Sequence, residues 1–135
     1  MLRGSSPAKI DEKGRLKVPT SFRRVLEERY GPALFVTSIL GDSARLYPLQ
    51  VWEEIETKLL AQPSTSPELT AYLERVAYFG QQVEMDNQGR IVISPVLRES
   101  AGIQGEVVVN GHLDHLVVWN HERFLSRLEK FPLTE

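Results

Sequence analysis

The spacing of apolar residues along the chain changes period several times, and each change marks a predicted element. Residues 16–18 alternate apolar, polar, apolar, which predicts a half-buried strand that ends at Pro19. From Ser21 the apolar residues take up helical spacing, and Tyr30, Gly31 and Pro32 predict the end of that helix. A strand followed directly by a short helix is therefore predicted for residues 16–30.

A hairpin and a longer helix are predicted next. Two strand-like runs, residues 34–37 and 44–47, flank a turn at Gly41 and Asp42. The following segment has an apolar stripe at helical spacing, formed by Val51, Trp52, Ile55 and Leu59. The first part of the chain is thus predicted as strand, turn, strand, short helix, hairpin and longer helix.

The same order of elements recurs later in the chain. Residues 91–93 alternate like residues 16–18, and a short helix follows with Ser94 as N-cap and Gly102 near its end. Strand-like residues 107–110 and 115–119 flank a turn around Gly111. A final helix, capped by Asn120, has an apolar stripe of Phe124, Leu125, Leu128 and Phe131.

A turn-rich segment separates the two series of elements. Residues 62–67 favour a linker, and a connecting helix is predicted after it, with Ser66 as N-cap and Gly80 at its end. We expect a first half at residues 1–62, a linker and connecting helix at 63–80, and a second half at 81–135. Because 135 residues are few for two separate cores, the halves are expected to share one.

One short motif is written in both halves. The segment IDEKGRLKVP at residues 10–19 returns as MDNQGRIVIS at residues 85–94, and the shared polar positions are Asp11/Asp86, Gly14/Gly89 and Arg15/Arg90, all at an offset of 75. Asp followed three residues later by Gly predicts a turn, since the carboxylate can accept backbone N–H groups and glycine takes up a positive φ.

The arginine is not explained by the turn. Two interpretations of Arg15 and Arg90 stay open on the residues alone. Each arginine can form a surface ion pair with the aspartate of its motif, usually worth roughly 0–1 kcal/mol. Alternatively, the turn displays the guanidinium to phosphates or guanine edges, with the aspartate aiming it and Lys13 beside the first arginine.

Charge is unevenly distributed. The whole chain has a formal net charge of −2, but residues 1–24 hold seven basic and two acidic side chains, a balance of +5 that leaves −7 for the rest. This asymmetry indicates either one basic face on an acidic body or an ordinary solvated surface. The absence of cysteine excludes disulfides and thiolate metal sites, and no apolar run reaches the length of a membrane span. We expect a soluble, cytoplasmic protein without a cofactor or metal.

A cluster of histidines raises the alternative of a metal site or an enzyme. His112, Asp114 and His115 could supply metal ligands or a base and its orienting carboxylate. A hairpin turn explains them better, because this segment corresponds to the turn at Gly41 and alternation would place His115 on the opposite side from the other two. Gly-rich phosphate loops and nucleophile elbows are missing from the sequence, so an enzyme is not expected.

Taken together, the motifs resemble the MraZ family of bacterial transcriptional regulators over essentially the whole chain. The matching residues are Arg3-Gly4, Asp11-x-Lys13-Gly14-Arg15-Leu16-x-Val18-Pro19, Phe22-Arg23, Asp86-x-x-Gly89-Arg90 and Leu97-Arg98. The resemblance implies an α+β fold in which two AbrB-like, pseudo-symmetric halves share a small swapped-hairpin (double-split) β-barrel with peripheral helices. It also implies assembly into rings and recognition of short repeated promoter sites of the division and cell-wall gene cluster.

These observations lead to a set of expected site residues. The DNA-binding residues are predicted to be Arg15, Lys13, Arg90, Arg3 and Lys9, with Asp11, Gly14, Asp86 and Gly89 orienting the motif. The second copy is expected to contact phosphate less, since Gln88 stands where the first has Lys13.

The predicted function is a sequence-specific, nucleoid-associated DNA-binding regulator that represses the division and cell-wall cluster, including its own promoter. The alternative is a ring-forming protein that holds an acidic protein partner. Binding to duplex DNA that weakens steeply with salt favours the regulator.

Overall fold

The structure is a computed structural model that describes residues 1–134, and this part of the chain contains eight strands and five helices. The first half contains β1 (Ser5–Ile10), β2 (Arg15–Lys17), α1 (Thr20–Arg29), β3 (Ala33–Thr37), β4 (Ala44–Pro48) and α2 (Leu49–Leu60). After α3 (Pro67–Phe79), the second half contains β5 (Gln81–Glu84), β6 (Arg90–Val92), α4 (Pro95–Ala101), β7 (Gly105–Gly111), β8 (Leu116–Asn120) and α5 (His121–Lys130). The predicted α+β class and the repeated order of elements are confirmed; Glu135 lies outside the described residues.

The eight strands form one antiparallel sheet that curls into a nearly closed barrel. Its order is β5-β3-β4-β8-β7-β1-β2-β6. Strands from different halves pair at four places, β1 with β7, β2 with β6, β3 with β5 and β4 with β8. At the open end the Asp86 N–H donates to the Arg90 carbonyl at 3.0 Å. The halves are therefore interleaved rather than side by side, as the expected sharing of one barrel requires.

One apolar core fills the barrel and takes residues from both halves. Leu16 and its counterpart Ile91 are both buried, at 0% and 1% exposure, and Val18 and Ile93 are buried beside them. The alternation predicted for residues 16–18 is thus observed, because Arg15 and Lys17 lie on the opposite face of β2 from Leu16. The core holds the motif strands in register and leaves their polar face outward.

The predicted helix caps are confirmed. The side chains of Ser66, Ser94 and Asn120 accept the backbone N–H groups of Leu69, Leu97 and Arg123. Gly102 ends α4 in the left-handed conformation, with φ 65°.

The last helix forms as predicted, but most of its apolar stripe is not buried. Within α5 only Phe124 is half-buried, against Trp119, whereas Leu125 and Leu128 are 48% and 56% exposed. The connecting helix α3 packs beside α2 of the first half through Val76 and completes a cluster around Trp52. The second half has no equivalent of α3 within the described residues, so α5 is covered on one side only.

No helix within residues 1–134 combines the length and the apolar character needed to cross a bilayer.

Candidate nucleic-acid interface

The first motif forms a tight turn organised by Asp11. Its Oδ1 atom accepts the backbone N–H groups of Lys13 and Arg15 at 3.0 and 2.9 Å, and its Oδ2 atom accepts Nε of Arg15 at 2.7 Å. Gly14 takes up φ +81°, a conformation that other residues rarely adopt. One carboxylate thus holds both the backbone of the turn and the guanidinium of Arg15.

The second motif repeats this geometry. Oδ1 of Asp86 accepts the backbone N–H groups of Gln88 and Arg90 at 2.8 and 2.9 Å, and Oδ2 accepts Nε of Arg90 at 3.0 Å. Gly89 takes up φ +75°. The ion pair considered as one explanation of the arginine is therefore formed in both copies.

The ion pair leaves each arginine able to contact a ligand. Arg15 and Arg90 bond to their aspartates through Nε, and within residues 1–134 neither guanidinium has a second hydrogen-bond acceptor. Their side chains are 37% and 34% exposed. The terminal nitrogens, which form the fork that matches guanine edges or phosphates, keep their hydrogen-bonding capacity. Orientation by aspartate and binding of an anion are thus compatible.

Both aspartates are held in the ionised state. The backbone N–H of Arg15 and then its side chain lower the pKa of Asp11 below its ordinary value. The pKa of Asp86 is lowered in the same way, with the backbone N–H of Arg90 as the largest cause. Hydrogen bonds to a carboxylate favour its charged form. At neutral pH both carboxylates are therefore competent to orient the arginines.

The two turns lie next to each other. The Val18 N–H donates to the Gly89 carbonyl and the Ile93 N–H donates to the Gly14 carbonyl, both at 2.9 Å. These reciprocal bonds flank the β2–β6 pair. The two motifs, 75 residues apart in sequence, consequently form one continuous surface.

Basic residues gather on the outward face of this strand pair. The register places Lys17 directly opposite Arg90, and Arg15 opposite Val92. On β1, Lys9 is exposed, and the pairing of Ile10 with Leu16 places it beside Lys17. We call Lys9, Arg15, Lys17 and Arg90 the basic strip.

Lys17 was not among the residues predicted to bind DNA. The sequence could have predicted this role for Lys17, because the alternation that buries Leu16 places Lys17 on the same face of the strand as Arg15. Its position opposite Arg90 depends on pairing between the halves, which the sequence does not specify.

The charges of the two copies are not equivalent. At the offset of 75, Lys9, Lys13 and Lys17 correspond to Glu84, Gln88 and Val92. The sequence around the second motif is therefore less basic than that around the first, as expected. In the fold, however, Lys17 lies opposite Arg90 on the neighbouring strand and adds positive charge beside the second motif.

Arg3 is not brought to the basic strip. It lies before β1, at the opposite end of that strand from the turn at Asp11. The six residues of β1 lie between Arg3 and Asp11, and at about 3.3 Å per residue they correspond to roughly 20 Å. The other predicted DNA-binding residues, Lys9, Lys13, Arg15 and Arg90, do lie on or beside β2 and β6.

The histidine cluster forms the turn between β7 and β8. The His115 ring stacks on Tyr47 at 4.5 Å, and its Nδ1 lies 2.8 Å from Oδ1 of Asp114. The expectation that His115 points away from His112 was wrong: their rings are 5.4 Å apart, because Leu113 takes up φ 72° and tightens the turn. No group of three or more metal-ligating side chains is assembled within residues 1–134.

Comparison with known proteins agrees with this architecture. The family model described as "MraZ protein, putative antitoxin-like" matches residues 1–75 and 80–135. The chain is 48% identical to proteins named Transcriptional regulator MraZ from Acidobacterium capsulatum and Koribacter versatilis, over 99% of this chain and 92% of each relative. It is 35% identical to the protein of that name from Methylobacillus flagellatus, over 100% of this chain and 91% of the relative. The chain therefore belongs to the MraZ family.

Proposed function

We propose that this chain is a sequence-specific DNA-binding transcriptional regulator that acts as a repressor. The observation that carries the proposal is the basic strip, where arginines from two turns of the same geometry lie on the outward face of one strand pair. Relatives that match nearly the full length of the chain are named transcriptional regulators. A catalytic step, cofactor or metal has no part in this function.

The residues of the strip divide into two roles. Arg15 and Arg90, each aimed by an aspartate, suit bidentate contact with guanine, which is typically worth about 1–3 kcal/mol of discrimination. Lys9 and Lys17, together with Lys13 in the turn beside the strip, suit contact with phosphates, which fix position without reading sequence. Because the whole chain carries a net charge of −2, attraction to DNA is confined to this face.

Self-assembly into a ring is part of the proposal. A single strip offers few contacts, so strips on several subunits that engage successive short repeated sites would raise the effective concentration. Two surfaces support assembly. The first is the exposed apolar face of α5, which also carries Arg127. The second is a groove of about 730 Å³ between α2 and α3, lined by apolar side chains together with Glu53 and Glu56.

The targets proposed are promoters of the division and cell-wall gene cluster, including the promoter of this protein's own gene. The site of action is then the nucleoid in the cytoplasm. Family membership supports this assignment.

The test is an anisotropy titration of a duplex from upstream of the protein's own gene, beside a scrambled duplex, over a salt series. We expect tighter binding to the promoter duplex and steep weakening with salt as counterions are released. Arg15→Ala should lower cognate affinity about 5- to 150-fold per engaged subunit, with unchanged melting temperature and oligomer mass. Arg90→Ala should give a smaller loss of the same kind.

Arg24→Ala is the matched control, because Arg24 is an exposed arginine on α1 outside both turns. Equal losses of cognate affinity in Arg15→Ala and Arg24→Ala would show that the strip binds DNA only through its positive charge and does not read sequence. Absence of salt-dependent duplex binding, together with capture of an acidic protein partner, would support the alternative of a ring-forming interaction protein.

A further inference from the structure

We propose that Arg98 and Arg23 are positioning residues that act crosswise between the halves. Arg98, from the second half, holds the first turn, and Arg23, from the first half, holds the second turn. The proposal rests on the proposed DNA-binding function and adds residues that act on the strip without belonging to it.

Arg98 lies on α4 and reaches the first turn from outside it. Its Nε donates to the Ile93 carbonyl at 2.8 Å, and the Ile93 N–H donates to the Gly14 carbonyl at 2.9 Å. The guanidinium lies against Gly14 so closely that a Cβ there would be 2.5 Å from Nε of Arg98. Gly14 is thus required both by its positive φ and by the arginine that covers it.

Arg23 lies on α1 and reaches the second turn. Its Nη2 donates to the Asn87 carbonyl at 2.8 Å, while its Nε pairs with Glu27 at 2.7 Å. A Cβ on Gly89 would lie 2.6 Å from Cδ of Arg23. Since Arg23 and Arg98 are themselves 75 residues apart, their contacts with Gly89 and Gly14 are symmetry counterparts, whereas their hydrogen bonds go to carbonyls at non-equivalent positions, Asn87 and Ile93.

These contacts assign the two arginines a role different from that of the strip. Both side chains are half-buried and bonded to protein carbonyls, whereas Arg15 and Arg90 keep their terminal nitrogens uncommitted. Each aspartate organises only its own turn. The cross-contact fixes where that turn lies relative to the opposite half, and so sets the spacing between Arg15 and Arg90.

The consequences for DNA binding are unequal. The first turn holds Lys13 where the second has Gln88, so the first turn carries more of the expected contacts. Loss of Arg98 should therefore harm DNA binding more than loss of Arg23. Charge counting along the sequence gives the opposite ranking, because Arg23 belongs to the basic amino-terminal segment and Arg98 to the acidic remainder.

The experiment compares Arg98→Met and Arg23→Met in the full chain, with Arg24→Met as the control for loss of one positive charge. Amide hydrogen exchange is measured by NMR on the DNA-free protein. Arg98→Met should speed exchange at Lys13 and Arg15 about fivefold or more and leave Gln88 and Arg90 unchanged, and Arg23→Met should do the reverse. General destabilisation would not produce this crossed pattern.

The same variants are titrated with the promoter duplex and a scrambled duplex. Arg98→Met should weaken promoter binding about 3- to 10-fold per engaged subunit, more than Arg23→Met, with the salt slope on the scrambled duplex unchanged. A slope reduced by about 0.9 would make Arg98 a phosphate contact and overturn the positioning role.

Uniform or unchanged exchange in both turns would also overturn the proposal, as would promoter affinity in Arg98→Met equal to that of the parent. A parent protein that binds neither duplex refutes the proposed function instead. The crossed exchange pattern needs no DNA, so it tests the positioning role of Arg98 and Arg23 independently of the proposed function.

Discussion

Lys17 and Arg90 lie directly opposite each other on neighbouring antiparallel strands, although they belong to different halves of the chain. We predict that Lys17→Val, which copies the residue at the equivalent position 92, weakens binding to all duplexes by a similar factor. Loss of one phosphate contact should flatten the salt slope by about 0.9. Lys13→Ala should behave in the same way. The measurement is the salt-dependent titration on cognate and scrambled duplexes.

Val92→Lys provides the reciprocal control, since Val92 is exposed opposite Arg15. This variant should strengthen binding to both duplexes and steepen the slope. If Lys17→Val weakened only the cognate duplex, Lys17 would be a base contact rather than a phosphate contact.

The variant Asp11→Asn distinguishes two effects of Asp11 on DNA binding, which are the orientation of Arg15 and the negative charge of the carboxylate. The change removes a negative charge beside the strip, which alone would favour binding to any DNA. It also weakens the charge-assisted bond to Nε of Arg15. We therefore expect cognate affinity to fall while affinity for the scrambled duplex stays equal or rises. A parallel rise in both affinities would show that Asp11 does not orient Arg15.

Gly89→Val tests whether the second turn needs glycine both for its positive φ and for the close approach of Arg23. A valine at φ +75° is strained by roughly 1–3 kcal/mol, and its Cβ would also collide with Arg23. Gly31→Val is the matched control, because Gly31 has φ +94° and open space around its Cβ position. Gly89→Val should melt at a lower temperature than Gly31→Val. Equal melting temperatures would show that the collision is relieved without cost.

Acid should loosen both turns. The pKa of Asp11 and of Asp86 is lowered in the folded chain by backbone N–H donors. Their contribution to stability is therefore complete above the unfolded value of 3.8 and is lost as the pH falls through the lower folded value. NMR titration of the Lys13 and Arg15 amides should give a midpoint below 3.8. Asp11→Asn should abolish that transition in the first turn alone, and a midpoint at or above 3.8 would contradict the assignment.

Assembly should depend on the exposed face of α5. Leu128 is 56% exposed there, so Leu128→Glu should leave the fold and its melting intact while lowering the mass measured by light scattering. Val96→Glu is the control, since it places the same negative charge at a residue that is 43% exposed on α4, outside both proposed assembly surfaces. A parent that stays monomeric over a wide concentration range would remove assembly from the mechanism, as would unchanged mass in Leu128→Glu.

Much of the fold followed from local signals. The caps at Ser66, Ser94 and Asn120 were predictable because a side chain that bonds a nearby backbone N–H needs no distant partner. The burial of Leu16 followed from alternation for the same reason.

Features that depend on distant pairing were not predictable from spacing. Lys17 meets Arg90, and Arg98 covers Gly14, only because strands of one half insert between those of the other. The exposure of Leu125 and Leu128 was missed because helical periodicity identifies an apolar face but not what packs against it.

The interleaved strand order also constrains how the protein is made. Ile10 of β1 pairs with Gly105, and Ala44 of β4 pairs with Val118. During translation, β1 and β4 therefore lack these neighbouring strands until β7 and β8 have been synthesised. At roughly 5–20 residues per second, the first half stays without its neighbours for several seconds. During that time its strand edges are open to chaperones or to other nascent chains. Neither turn that carries Arg15 or Arg90 can reach its final position before β6 and α4 have emerged. A truncated translation product would therefore not compete with the full-length protein for promoter DNA.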